Sequence, residues 1–314
     1  MRKFKRRFKI LRKTFDGMYY KHQGKNRIIS FIAGILMGDH AFVQVITNKD
    51  SYYFSYPMSA YQHGEIVSDL SIFNRNKKQE KDIVRFLGCG FPHFRIGDNT
   101  FSKDGIKICI EEKGVSIHGE IKYTKLTPLR YDIMGPFKYL PMQCKHKISS
   151  LYHELDGSLN VGKETIDFKG GTGYIEGDFG TSFPGNYLWI QCNDFPEKAC
   201  IVASVADIPF IRLHFRGCIC IVYIHGTEYR LATYLGVKIL LYNENHIVLK
   251  QGNLRLEIEI DIGTGHKLIA PERGRMVREI RERVMCGARF KFMKDGKVLF
   301  EQRSEKASFE YVTG

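Results

Sequence analysis

The 314-residue chain has few of the features that mark several large protein classes. Its longest apolar run, residues 28–37, is well short of the ~20 residues that a membrane-spanning helix needs. Its 8 cysteines contain no CxxC pair and are too sparse for a disulfide framework. We therefore expect a cytoplasmic protein with reduced thiols.

Common catalytic motifs are also missing. The sequence contains no GxxxxGK[ST], no GxSxG, no HExxH and no GxGxxG that opens a helix. His146 and His153, with Cys144 nearby, are the closest approach to a metal-binding cluster, but no second group of ligands stands at a suitable spacing. We therefore expect neither a metal nor a cofactor.

The formal net charge of +14 is concentrated at the N-terminus. Eight positive charges lie within residues 1–13, which leaves +6 for the rest of the chain. Phe4, Phe8 and Leu11 recur at helical spacing among these cations, so this arm is either a solvated tail or a contact with the anionic inner face of a membrane. No nucleic-acid-binding module accompanies the charge, and we expect no nucleic-acid partner.

Aromatic residues and glycine are abundant, with 22 Phe, 17 Tyr and 30 Gly against only 9 Pro. This composition favours strands joined by tight turns. Residues 254–262 alternate between apolar and charged side chains, as a half-buried antiparallel strand does. Turn sequences separate several such runs, at residues 103–105, 112–114, 243–245, 251–253 and 294–296. The sequence therefore predicts an all-β protein.

One segment departs from the strand pattern. After Pro271, the apolar residues Met276, Val277, Ile280 and Val284 mark one face of a helix whose other positions are mostly charged. The spacing predicts a helix near residues 272–285.

The densest candidate site lies in residues 170–195. Glu176 and Asp178 are two residues apart, so in an extended strand both carboxyl groups point to the same side. An aromatic and polar set surrounds them and suits a binding pocket; its members are Tyr174, Tyr187, Trp189, Gln191 and Asn193. The alternative from composition alone is a surface pair of carboxylates above a glycine-rich corner.

The same segment carries a family resemblance. Residues 173–184 (GYIEGDFGTSFP) and 187–195 (YLWIQCNDF) closely resemble a signature of tocopherol cyclases and their bacterial relatives. Further blocks resemble that family in the same order, at residues 15–21, 30–35, 98–102, 134–137, 141–146 and 267–271. Met18 and Phe179 stand where the family has tryptophan, so we expect a pocket wall and a substrate that differ from the family's.

The resemblance implies two lipocalin-like antiparallel β-barrels in tandem with a few short helices, an architecture shared with carotenoid hydratases of the hydroxyneurosporene synthase type. We place a basic arm at residues 1–14, a first barrel-like domain at 15–150 and a second at 151–314. The implied activity is that of an isomerase, an intramolecular lyase that cyclises, or hydrates, a prenylated hydrophobic substrate such as a prenyl-quinol.

The steps of that reaction assign roles to the candidate residues. Glu176 or Asp178, held neutral in a dry pocket, would protonate the alkene. The aromatic residues of the set would surround the resulting cation, and a neutral His146 would accept the proton of the attacking phenol. The alternative is a carrier of lipocalin type that binds a lipid or isoprenoid without catalysis.

Overall fold

The computed structural model describes residues 14–64, 93–210 and 213–313. These residues form 22 strands and no α-helix, which confirms the predicted all-β class. Three short 3-10 helices interrupt them, at Met58–Ala60, Gly135–Tyr139 and Thr233–Leu235. Within the same ranges no helix is long and apolar enough to cross a membrane. The basic arm lies outside the described residues, and its contact with a membrane stays a prediction.

The first sheet is antiparallel and has twelve strands. They are β1 (Phe15–Gln23), β2 (Ile28–Leu36), β3 (His40–Thr47), β4 (Ser51–Pro57), β5 (Tyr61–His63), β6 (Phe94–Ile96), β7 (Asn99–Ser102), β8 (Gly105–Glu112), β9 (Val115–Tyr123), β10 (Cys144–Val161), β11 (Glu164–Asp167) and β12 (Thr172–Gly180). The strand order is β4-β3-β2-β1-β12-β10-β9-β8-β7-β6-β5, and β11 pairs with β10. The long strands β1 and β10 therefore flank β12, which carries the candidate carboxylates.

The second sheet is antiparallel and has ten strands. They are β13 (Tyr187–Cys192), β14 (Cys200–Phe210), β15 (Leu213–Ile224), β16 (Thr227–Ala232), β17 (Lys238–Tyr242), β18 (His246–Gln251), β19 (Leu254–Ile260), β20 (His266–Glu272), β21 (Arg275–Lys294) and β22 (Lys297–Val312). The order is β16-β15-β14-β13-β22-β21-β19-β18-β17, and β20 pairs with β21. The chain passes from one sheet to the other between residues 180 and 187, whereas the boundary expected near residue 150 falls inside β10.

The five predicted turns each join two paired strands. At two of them, Lys113 (φ 55°) and Asp295 (φ 53°) precede glycines that also have positive φ. Two consecutive left-handed residues are what a type I′ hairpin needs, because that turn matches the twist of the strands. Turn chemistry in the sequence thus placed these hairpins correctly.

The predicted helix near residues 272–285 is wrong. This segment belongs mostly to β21, and its backbone hydrogen-bonds with β20 and β22. Met276, Ile280 and Val284 are four residues apart, a spacing that satisfies both a helical face and one face of a strand. Two other residues distinguish a helix from a strand here. Val277 is 61% exposed and Glu282 is fully buried, as the alternation of a strand requires.

Buried apolar residues form three clusters. One is contributed by the first sheet and one by the second. The third joins the two sheets, with Tyr19, Ile148 and Tyr174 from the first and Trp189 and Ile280 from the second. The sheets therefore pack through an apolar layer, and the candidate site lies at this layer.

Candidate active site

A cavity of ≈170 Å³ lies between the two sheets. Its lining is mostly apolar and comes from both of them; examples are Ile32, Phe42, Phe137, Phe183, Ile219 and Leu268. Its polar lining residues include two groups, one on each sheet, that we call walls; Tyr19, Cys144 and Cys218 also line the cavity. The first-sheet wall consists of His146, Glu176 and Asp178, and the second-sheet wall consists of Tyr187, Trp189 and Glu310.

Strand pairing brings the three residues of the first-sheet wall together. Glu176 and Asp178 lie on one face of β12, as the two-residue spacing predicted. His146 of β10 stands directly opposite Asp178 in the register, so its side chain emerges on the same face. Its Nδ1 lies 3.1 Å from Asp178 Oδ1, and its Nε2 lies 3.2 Å from Glu176 Oε2. The imidazole thus bridges the two carboxylates.

The charge state of His146 differs from the neutral base predicted by the sequence. Burial acts to lower the pKa of His146, but the charges of Glu176 and Asp178 outweigh it and raise that pKa well above its usual value. The ring is therefore an imidazolium ion between two carboxylates. With both carboxylates ionised, the cluster carries a net charge of −1 on the cavity wall.

Glu176 and Asp178 differ in what surrounds them. Glu176 is 5% exposed and accepts hydrogen bonds from the Tyr174 hydroxyl (2.6 Å) and the Trp189 indole N–H (3.2 Å). The Asp178 side chain is 24% exposed, and the Cys144 thiol donates to it at 3.4 Å. Glu176 is thus held on several sides, whereas Asp178 is the carboxylate open to a molecule in the cavity.

The same three side chains could bring ligand atoms for a metal ion within 4.8 Å of one another. One imidazole nitrogen and two carboxylate oxygens suit a transition metal. Both ring nitrogens, however, already face carboxylates, and a metal would have to displace the proton that this arrangement stabilises. We therefore interpret the cluster as an ion triad. His153 does not join it, because its Nδ1 lies 3.0 Å from the Ser150 hydroxyl.

The second-sheet wall contains an acid that sequence reasoning missed. Glu310 of β22 stands opposite Trp189 of β13 in the register, and its Oε2 accepts the Tyr187 hydroxyl at 2.5 Å. On its other side Glu310 pairs in register with Glu282 of β21. The alternation of a strand could have revealed this pair from the sequence. When residues 275–294 are treated as a strand, Glu282 falls on the same inward face as Ile280 and Val284.

These two acids hold their protons more tightly than ordinary glutamates. Burial, and after it the charge of Glu282, raises the pKa of Glu310 well above its usual value. Burial also raises the pKa of Glu282 to about 7, although the Tyr19 hydroxyl donates to its Oε1 at 2.6 Å. The second-sheet wall therefore presents a neutral carboxylic acid where the first presents ions.

The remaining predicted pocket residues divide into two groups. Tyr187 and Trp189 line the cavity, whereas Tyr174, Gln191 and Asn193 do not. Gln191 Oε1 accepts a hydrogen bond from the buried ammonium group of Lys21 at 2.9 Å. Asn193 accepts from the Gln23 amide and donates to the Gly173 carbonyl. These two carboxamides connect the sheets beside the cavity.

A scan against protein-family models gives no match, and a search of curated protein sequences gives none either. Solved structures do match over nearly the whole chain. Kievitone hydratase from Nectria haematococca is 12% identical, with 96% of this chain and 89% of that one covered and a TM-score of 0.50. CghA, solved with Sch210972, is 7% identical, with the same coverage and a TM-score of 0.59. The chain therefore shares the fold of these two proteins.

Proposed function

We propose that the protein is an enzyme that cyclises or hydrates an unsaturated hydrophobic molecule in the cavity between its sheets. The observation that carries the proposal is the ion triad of His146, Glu176 and Asp178 on the wall of a mostly apolar cavity. The fold likeness to a protein named kievitone hydratase supports the class of reaction.

The substrate that fits this arrangement is a prenylated compound with a hydroxyl group, such as a prenyl-quinol. Aliphatic and aromatic lining accommodates an isoprenoid chain. Addition of a proton to a trisubstituted alkene creates a tertiary cation, which needs negative charge or aromatic faces nearby. The triad's net negative charge and the ring of Trp189 supply both.

The triad also handles the proton released later in the reaction. When the substrate hydroxyl, or a water molecule, attacks the cation, its oxygen must lose a proton. We assign that proton to Asp178, since its carboxylate is the more exposed of the two. His146 positions the acceptor and Glu176 fixes His146 from the other side. Paired with an imidazolium, the two carboxylates suit this accepting role better than the donating role predicted from the sequence.

The test is incubation of the purified protein with a series of prenylated hydroquinones, followed by mass spectrometry of the products in ¹⁸O-labelled water. Cyclisation leaves the substrate mass unchanged, whereas hydration adds one labelled water. We expect Asp178→Asn to slow product formation by at least about 100-fold, and Glu120→Gln, at an exposed position of β9, to leave it unchanged. Tight binding of these compounds without any product would favour the non-catalytic carrier instead.

A further inference from the structure

We infer that Glu310 is the general acid that donates the proton to the substrate alkene, an inference that rests on the function proposed above. Glu310 lines the cavity from the second sheet, opposite in register to Trp189. The Trp189 indole in turn donates to Glu176 of the first sheet. A substrate in the cavity therefore has access to Glu310 from one sheet and to the ion triad from the other.

The immediate surroundings of Glu310 supply hydroxyl groups and another carboxyl. The Tyr187 hydroxyl holds Oε2, which leaves Oε1 to carry the acidic proton. On β21, Glu282 is fully buried, and its Oε2 lies among the buried polar atoms without a hydrogen-bond partner in the described part of the chain. Two neighbouring carboxyl groups in such a place cannot both ionise at low cost.

Lys21, whose charge acts on Glu282, and Arg278, whose charge acts on Tyr187, are both directed to other acceptors. Lys21 donates to the Gln191 side chain and to the Lys306 carbonyl. The Arg278 guanidinium donates to the carbonyl groups of Pro184 and Gly185. On the first sheet, Glu176 and Asp178 face the same cavity as carboxylates, and their charges also favour the protonated form of Glu310. The raised pKa of Glu310 agrees with this geometry.

The proton balance of the step is complete. The O–H bond of Glu310 breaks as the π electrons of the alkene form a new C–H bond, which leaves a tertiary carbocation and the Glu310 carboxylate. A lone pair of the substrate hydroxyl, or of water, then forms the C–O bond, and the proton on that oxygen passes to Asp178. After product release, water that enters the cavity returns this proton to Glu310, so turnover consumes no net proton.

The decisive variant is Glu310→Gln, which keeps an acceptor for Tyr187 but has no acidic proton. We expect kcat to fall by at least about 100-fold, the usual contribution of a general acid, with KM little changed. Glu310→Asp should recover part of the rate, and its product in D₂O should carry deuterium at the former alkene carbon. The infrared band of a protonated carboxyl group at pH 7 should be weaker in Glu310→Gln than in the wild type.

The outcomes separate this inference from the function on which it rests. An active wild type with an equally active Glu310→Gln variant overturns the role of Glu310 and leaves the proposed function standing. An unchanged carboxyl band in Glu310→Gln also overturns it. If Glu310→Gln does not fold, the test uses Glu310→Asp. A folded Glu310→Asp variant whose single-turnover proton transfer is as fast as that of the wild type also overturns the role of Glu310. A wild type that converts no prenylated hydroquinone ends both proposals.

Discussion

The two walls of the cavity use the same kind of residue in opposite charge states. On the first sheet, Glu176 lies 3.2 Å from an imidazolium nitrogen and accepts two further hydrogen bonds. On the second, Glu310 receives one tyrosine hydroxyl and lies beside another carboxyl group. The two glutamates differ in their partners, since Glu176 lies beside the imidazole of His146 and Glu310 beside a second carboxyl group. One cavity can therefore offer a proton and stabilise a cation at the same time.

The largest effect should come from the exposed carboxylate of the first-sheet wall. Asp178→Asn removes the proposed proton acceptor and one of the two carboxylates that contact His146. We expect kcat to fall by roughly 100-fold to 10,000-fold, the range found for general acid–base groups. Single-turnover kinetics measure this loss, and a melting temperature near the wild type's shows that the fold is intact. A fall of less than about 10-fold would remove Asp178 from the mechanism.

Loss of the imidazolium should destabilise the whole protein. His146→Gln leaves Glu176 and Asp178 facing each other without a cation, and breaking a buried pair costs roughly 3 to 5 kcal/mol. Because the folded pKa of His146 is raised, its contribution to stability is complete below pH 6.5 and declines as pH rises through the folded pKa. Urea unfolding across pH should show the difference between wild type and variant shrinking towards alkaline pH. A constant difference would argue against a protonated ring.

Glu282, the buried acid beside Glu310 on the second sheet, should respond to pH in a lower window. Glu282 has a pKa of about 7 when folded against an ordinary 4.5, so the folded state holds an extra proton between these values. Stability should therefore fall as pH rises from 4.5 to 7, by roughly 3 kcal/mol at most for this group. Glu282→Gln should match the wild type below pH 4.5 and exceed it above pH 7.

Asp16 of β1, on the first sheet, provides an independent comparison for this experiment. Burial raises the pKa of Asp16 to about 7 as well, so Asp16→Asn should reduce the same slope independently. The double variant should then show nearly the sum of the two changes, since the groups belong to different sheets. Equal pH profiles for wild type and Glu282→Gln would contradict the raised pKa of Glu282.

The smallest expected effect concerns the contact between the walls. Trp189→Phe keeps an aromatic face in the cavity but removes the N–H that donates to Glu176. A hydrogen bond to a charged group contributes at least about 1.5 kcal/mol, so we expect roughly a 10-fold loss of kcat. Steady-state kinetics with a prenylated hydroquinone that the wild type converts measure it. A loss as large as that of Asp178→Asn would mean that the indole does more than orient Glu176.

Much of the fold and half of the site could be predicted from the sequence. Period-two alternation gave the strands, turn residues gave the hairpins, and the spacing of Glu176 and Asp178 gave their common side. The segment around Ile280 was misassigned because a four-residue spacing fits both a helix and a strand. The passage from the first sheet to the second near residue 180 has no local mark in the sequence, whereas β10 continues through residue 150 and pairs with β12.

Local chemistry of the chain thus determined that the protein is all-β and that two carboxylates share a face on β12. Only the tertiary structure decided their chemical state. His146 is 32 residues from Asp178 in sequence, and Glu310 is far from both, so no local pattern gives the distances between these side chains. Charge states in a buried site depend on the groups within a few ångströms, and those groups are brought together by strand register and by the packing of one sheet on the other.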